Sequence, residues 1–298
     1  MKKILFALAA VAAFAVAGCT SEAGEQDVRV ISYNIRYMNT KDGDNNWEFR
    51  KQASINMVNE EQPTVFGLQE AVKAQVDFLA ENLPNYAHYG VGRDDGKEKG
   101  EFMAIFYDTE EVELLDKGTF WLSATPNTPS KSWNDEIFAP VEGTPGAMKY
   151  HRTCTWVKFK HKADGKVFYY YNTHLEFGYH ANYNLGQTAR EKGVALIVER
   201  IKQQAVNGEA VIFGGDMNQV ANDKCFNPLF NNGWVSGRAT ATEVISEANQ
   251  YSITFNNYEA TVREQQENNK GKIIAICVAA ALALASISAA VIVILKFK

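Results

Sequence analysis

Four apolar runs of this chain each deliver a residue able to hold a metal ion or a phosphate. ISYN ends at Asn34, FGLQE at Glu70, YYNTHLE at His174 and Glu176, and AVIFGGDMN at Asp216 and Asn218. Glu70 offers the hard carboxylate oxygens that Mg²⁺ prefers beside water and phosphate. His174 can bond a phosphate oxygen or stabilise developing negative charge. Asp216 can hold an attacking water, and Asn218 can orient a phosphoryl group without adding charge. Positioning and charge neutralisation are most of what phosphoryl transfer requires. Gly214 and Gly215 are expected to let a phosphate approach the backbone at the strand mouth. A single polar strand end is usually just solvated. Four of matching chemistry favour a site on the edge where strand C-termini gather.

The elements that must position these residues follow from hydrophobic period. Residues 28–34, 64–68, 102–107 and 112–122 read as strands, as do 153–160 and 167–174 around an Ala-Asp-Gly-Lys turn, and 210–214. Apolar residues at helical spacing predict helices over 47–60 (Trp47, Phe49, Ile55, Val58), 74–83 and 187–204, and Pro63 stops the first. Residues 125–146, with four prolines, form a long surface loop. Residues 251–258 look like a further strand. Hairpins mixed with helices imply an α/β chain with mixed sheets rather than a parallel doubly wound one.

The ends differ in character. Lys2 and Lys3 precede an apolar run, and Val-Ala-Gly-Cys at 16–19 resembles a lipobox, so residues 1–18 read as a lipoprotein signal peptide with Cys19 lipidated. Residues 19–26 are a tether, 27–258 the domain and 259–272 a polar linker. The uncharged run 273–295 reads as a transmembrane helix with lysines on both flanks. These features place the domain outside a bacterial cell's cytoplasm, tied to membrane lipid through Cys19 and that helix. Cys154 and Cys225 are either a disulfide or two buried small hydrophobes. The absence of a CxxC or Cys/His cluster argues against zinc. A net charge of −5 gives no electrostatic footprint for bulk nucleic acid.

The stretches SYNIRY, NNWEFRK, FGLQEA, GRDDGKEKGEFMAIFY, FWLSATP, YYNTHLE, QTAREKGVALIVERI and GGDMN occur in the order found in a known superfamily. On them the chain resembles the endonuclease/exonuclease/phosphatase superfamily, in particular its extracytoplasmic bacterial lipoprotein group. The resemblance implies a four-layer sandwich of two mixed sheets flanked by helices. It implies a phosphoesterase in which water attacks a phosphodiester or phosphomonoester in line, with Mg²⁺ or Mn²⁺ at Glu70 and Asn34. His174 and Arg152 would meet the phosphate, and Asp216 and Asn218 would orient the nucleophile. The family's chains end with a strand bearing an Asp and an SDH-like motif. Here no Asp follows Asp223 and no His follows His180. The sandwich is therefore expected to lack its last strands, and the alternative is a phosphate- or metal-binding relative with impaired catalysis. The apolar 273–295 run, patterned for lipid, is not expected to replace those strands.

Overall fold

A computed structural model describes residues 27–133, 150–177, 183–241, 275–279 and 294–296. Among them the strands are β1 (Val30–Asn34), β2 (Val65–Gln69), β3 (Tyr86–Tyr89), β4 (Ile105–Asp108), β5 (Val112–Trp121), β6 (Thr153–His161), β7 (Val167–His174), β8 (Ala210–Asp216), β9 (Val235–Ser236), β10 (Ala275–Ala279) and β11 (Ile294–Lys296). The α-helices are α1 (Trp47–Glu61), α2 (Lys73–Asn82), α3 (Tyr183–Gln204) and the single turns α4 (Asn227–Phe230) and α5 (Gly237–Thr240). One sheet runs β10-β1-β2-β4-β3 and the other β5-β6-β7-β8-β11-β9. Both are mixed: β1 is parallel to β2, and β7 to β8, while β2–β4, β5–β6 and β6–β7 are antiparallel.

Strand alternation sorts side chains into three apolar layers. Ile31, Tyr33, Phe66 and Leu68 face outward onto α1 and α2 with Trp47, Ile55, Val58, Val76 and Leu79. Tyr169, Tyr171, Val211 and Phe213 face the other way, onto Val194, Ile197 and Ile201 of α3. Between the sheets lie Val30, Val65, Phe159, Phe168, Tyr170 and Ile212. Helix, sheet, sheet, helix is the four-layer sandwich expected. Helix α1 begins where the Asn46 side chain accepts from Glu48 N–H and ends at left-handed Gln62, before Pro63. Phe49, counted on its apolar face from spacing, is instead 67% exposed.

The inter-sheet layer changes along the strands. Above the apolar residues, Ser32, Gln69 and Asn172 form a buried polar deck. Gln69 Nε2 donates to Asn172 Oδ1 (2.7 Å) and Ser32 Oγ (3.2 Å), and Asn172 Nδ2 donates to Leu68 O (2.8 Å) and Ala104 O (3.2 Å). One pleat further on come Asn34, His174 and Asp216.

The end of the chain corrects two expectations. In and just past 273–295, residues 275–279 and 294–296 are extended, not helical. β10 lies parallel to β1, pairing Val30 with Ala275 through Asn34 with Ala279, and β11 lies antiparallel to β8. A strand can read as an uninterrupted apolar run just as a membrane helix does, so composition alone did not separate the two. Pairing also satisfies backbone groups that β1 and β8 would otherwise leave open. Among the described residues no helix is long and apolar enough to cross a membrane. The signal peptide, Cys19, the tether, the 251–258 strand and the polar linker lie outside the described residues. Cys154 and Cys225 are free buried thiols packed in the α3-side core, which decides between the two readings of that pair.

Candidate active site

The strand ends meet across the sandwich, not along one sheet edge. β1 and β2 bring Asn34 and Glu70 from one sheet; β7 and β8 bring His174 and Asp216 from the other, where those two residues are register partners. Ligand atoms of Glu70, His174 and Asp216 all lie within 4.8 Å of one another. Asn34 ties the two sheets together: its Nδ2 donates to Glu70 Oε1 (3.0 Å) and to Asp216 Oδ2 (2.9 Å). Its Oδ1 accepts from Arg36 N–H at 3.0 Å, which fixes the amide's orientation.

Three non-glycine residues here hold left-handed backbone: Arg36 (φ 63°), Glu70 (φ 62°) and Asn218 (φ 48°). Such conformations cost about 1–3 kcal/mol each and persist where surrounding structure enforces them. They turn the chain just past each strand so that backbone amides meet the carboxylates. Tyr37 N–H donates to Glu70 Oε2 (3.0 Å) and Asn218 N–H to Asp216 Oδ1 (3.0 Å).

Of the two glycines before Asp216, Gly215 has a packing role beside the expected one of admitting phosphate. A Cβ on Gly215, at φ 141°, would sit 1.9 Å from the Thr173 carbonyl oxygen of β7. A Cβ on Gly214 would meet the Tyr170 hydroxyl at 3.4 Å, an ordinary contact. Gly215 is thus dictated by the parallel neighbour strand.

His174 is buried. Asn218 Nδ2 lies 2.9 Å from His174 Nε2 and also donates to Leu175 O, so Nε2 accepts and the ring carries its proton on Nδ1. Burial, and then the charges of Arg152 and Arg93, hold its pKa well below the ordinary imidazole value, so the ring is neutral at pH 7. Its Nδ1 has no hydrogen-bond partner and faces Glu101 Oε2 at 3.9 Å. Asp216 is pushed the opposite way, upward, chiefly by burial, against the Asn34 hydrogen bond that favours its ionised form.

Sequence reasoning missed the second half of this cluster. Glu101 and Arg93 close the loop between β3 and β4: Arg93 Nη1 donates to Glu101 Oε2 at 2.6 Å, and Trp121 Nε1 clamps Arg93 O at 2.7 Å. Arg152, expected at the site, is there, 4% exposed, its Nη2 3.3 Å from Glu176 Oε1. The missing signal was GRDDGKEKGE, a loop whose charged ends fold inward while its tip stays exposed. Further support comes from α3: Arg190 Nη1 donates to Glu176 O (2.7 Å), and Gln187 bonds Asp223 Oδ1 (2.7 Å). The helix thereby braces the segments that follow β7 and β8.

The donor set fits a hard divalent cation. Glu70 and Asp216 supply carboxylate oxygens from facing sheets, and the strain of two acids held together is what a cation relieves. Asn34, expected as a metal-site residue, here spans the two carboxylates with its nitrogen.

A two-sheet sandwich with helices on both faces, carrying carboxylates, a neutral histidine and arginines on opposed strand ends, is the architecture of a phosphoesterase-type α/β protein. The chain belongs to the endonuclease/exonuclease/phosphatase family. A crystal structure of a family member from Bacteroides vulgatus is 33% identical to it, covering 73% of this chain and 77% of that one, with a TM-score of 0.62. A second member, from Bacteroides thetaiotaomicron, is 32% identical over 70% of each chain (TM-score 0.59). A Bacteroides thetaiotaomicron mannosyl-6-phosphatase is 26% identical, covering 90% of this chain and 84% of that one (TM-score 0.66). Uncharacterized protein L388 of Acanthamoeba polyphaga mimivirus is 26% identical over 193 residues, and the match spans 65% of that protein's length. No family model matches the chain.

Proposed function

We propose that this domain is a divalent-metal-dependent phosphoesterase, hydrolysing a phosphate ester by in-line attack of water. The observation that carries the reading is the meeting of Glu70, His174 and Asp216 ligand atoms within 4.8 Å across two sheets. A cation held by Glu70 and Asp216 would neutralise phosphoryl charge and polarise a phosphoryl oxygen. Neutral His174 would donate from Nδ1 without adding charge, and Asn218, which donates to Nε2, keeps the ring in that tautomer. Arg152 would face the phosphate, held by Glu176. The similarity to a mannosyl-6-phosphatase supports a phosphate ester as substrate. The proposed place of action is the cell envelope, with the domain anchored through lipidated Cys19.

A second reading rests on the sequence: within these 298 residues no Asp follows Asp223 and no His follows His180, so the residues after Asn218 do not supply the general-base pair that the resemblance implies. General acid–base assistance contributes about 10²- to 10⁴-fold, so the same site could bind metal and phosphate with little turnover. One experiment separates the two. Mg²⁺ or Mn²⁺ should raise the melting temperature in either case, with stabilisation of about 2.7 kcal/mol at a hundredfold excess over Kd. Metal-dependent release of phosphate or alcohol from an ester should appear only in the first. Turnover that persists undiminished in EDTA contradicts the phosphoesterase reading.

A further inference from the structure

Arg93 has no part in the chemistry above, yet it is 6% exposed and stands beside Arg152. Both guanidiniums lie over the ring of Tyr150, Arg93 at 5.1 Å from its centroid and Arg152 at 5.5 Å. Each has a buried Nε that donates no hydrogen bond, and His174 Nδ1 in the same cluster is likewise without a partner. Asp94 Oδ1 lies 4.0 Å from Arg93 Nε, beyond hydrogen-bond reach. Glu101 and Glu176 each engage one guanidinium nitrogen and leave those Nε atoms open. The neighbouring Arg152 charge adds to the cost of burial in lowering the Arg93 pKa. Each of these two buried like charges is paired to a carboxylate through one nitrogen and leaves its Nε open, as His174 leaves its Nδ1, and such idle buried donors are what an added anion would engage.

We propose that Arg93 and Arg152 together form a two-guanidinium pocket, floored by Tyr150, that selects phosphate monoesters over diesters. This inference rests on the phosphoesterase reading and names its substrate class. Three sets of groups are available to a phosphate here: the cation that the Glu70–Asp216 carboxylates would hold, the open Nδ1 of His174, and the arginine pair. A monoester presents three terminal oxygens, one for each set. A diester presents two, and its second ester group would meet the guanidiniums with no charge to give them.

The test is calorimetric titration of the full chain, in Mg²⁺, with benzylphosphonate and with its monomethyl ester. The C–P bond of the first cannot be hydrolysed, so binding is read without turnover. Benzylphosphonate should bind at least about tenfold tighter than the ester. Arg93→Gln should weaken the phosphonate about ten- to hundredfold, the span of a charge-assisted hydrogen bond, and the ester less than about threefold. Since Arg93→Gln leaves Glu101 buried without its partner, the double variant Arg93→Gln/Glu101→Gln is the companion, and it should show the same selective loss. Equal binding of both probes by the unaltered protein, or equal loss of both in the variants, overturns the pocket, as does failure to bind either. Selective phosphonate binding without hydrolysis of any ester keeps the pocket and rejects the enzyme. Metal-dependent hydrolysis without probe preference does the reverse.

Discussion

Replacing Glu70 by Gln is expected to lower metal-dependent ester hydrolysis by at least about a thousandfold, because a cation site contributes several kcal/mol and each 1.36 kcal/mol is tenfold in rate. The amide keeps the size of the side chain, and its oxygen can still accept from Tyr37 N–H, 3.0 Å from Glu70 Oε2, at the loss of the bond that Glu70 Oε1 accepts from Asn34 Nδ2. The left-handed turn at Glu70 is therefore expected to survive. The substitution also removes one of two acids held together, and the Glu70 charge contributes to raising the Asp216 pKa. Relief of that repulsion offsets the lost Asn34 hydrogen bond, so the metal-free variant should melt close to the unaltered protein, while the melting-temperature rise on adding Mg²⁺ should vanish. Calorimetric melts with and without Mg²⁺, beside an ester assay, check both halves. A variant that keeps its activity, or that loses it by unfolding without metal, removes Glu70 from the metal role.

Replacing Gly215 by Ala is expected to have the largest effect on stability of any methyl added near the site. The new Cβ would sit 1.9 Å from the Thr173 carbonyl oxygen, on backbone at φ 141°. Neither the oxygen, which belongs to a strand paired to β8, nor the dihedral can yield without loosening the β7–β8 ladder. Overpacking alone costs about 1–3 kcal/mol, and the unfavourable φ adds to it. A loss of roughly 3 kcal/mol or more corresponds to a melting temperature lower by about 6–12 °C, at about 2–4 °C per kcal/mol for a domain of this size. Gly214→Ala, whose Cβ would only touch the Tyr170 hydroxyl at 3.4 Å, is the control and should shift the melt far less. Equal shifts for the two would show that close approach to β7 is not what selects glycine at position 215.

Much of the arrangement was legible from residue pattern. The alternation in VRVISYN, VFGLQ, VFYYYNTH and AVIFGGD fixes which side chains face the opposite sheet, and the last inward residue of each strand, or the one just past it, is a site residue. What pattern does not carry is the partner of each face. Nothing in the sequence says that β1 and β2 lie in one sheet and β7 and β8 in the other, so a single edge was the natural expectation. Arg93 and Glu101 were passed over because charged residues in a Gly-rich loop are ordinarily solvated, and only the fold reveals that the loop's two ends turn inward. Residues 275–279 and 294–296 were misread for the opposite reason. An apolar stretch without charge suits a bilayer and an apolar strand equally, and the pairing of 275–279 with β1 and of 294–296 with β8 is a long-range fact absent from local composition.

The seam between the two sheets is unequal along its length. Its lower half is sealed by Val30, Val65, Phe168 and Ile212, which adhere without regard to orientation. Its upper half, Ser32, Gln69 and Asn172 beneath the site, is joined by hydrogen bonds that fail when any one partner shifts. A molecule sealed this way parts like a book bound along one edge: the leaves separate first at the site and stay joined below. Amide hydrogen exchange should record it, with Asn34 and Gln69 exchanging through small openings and Val30 and Val65 only when the whole domain comes apart. The same unequal seam that places four functional groups face to face makes their spacing the first dimension of the protein to give.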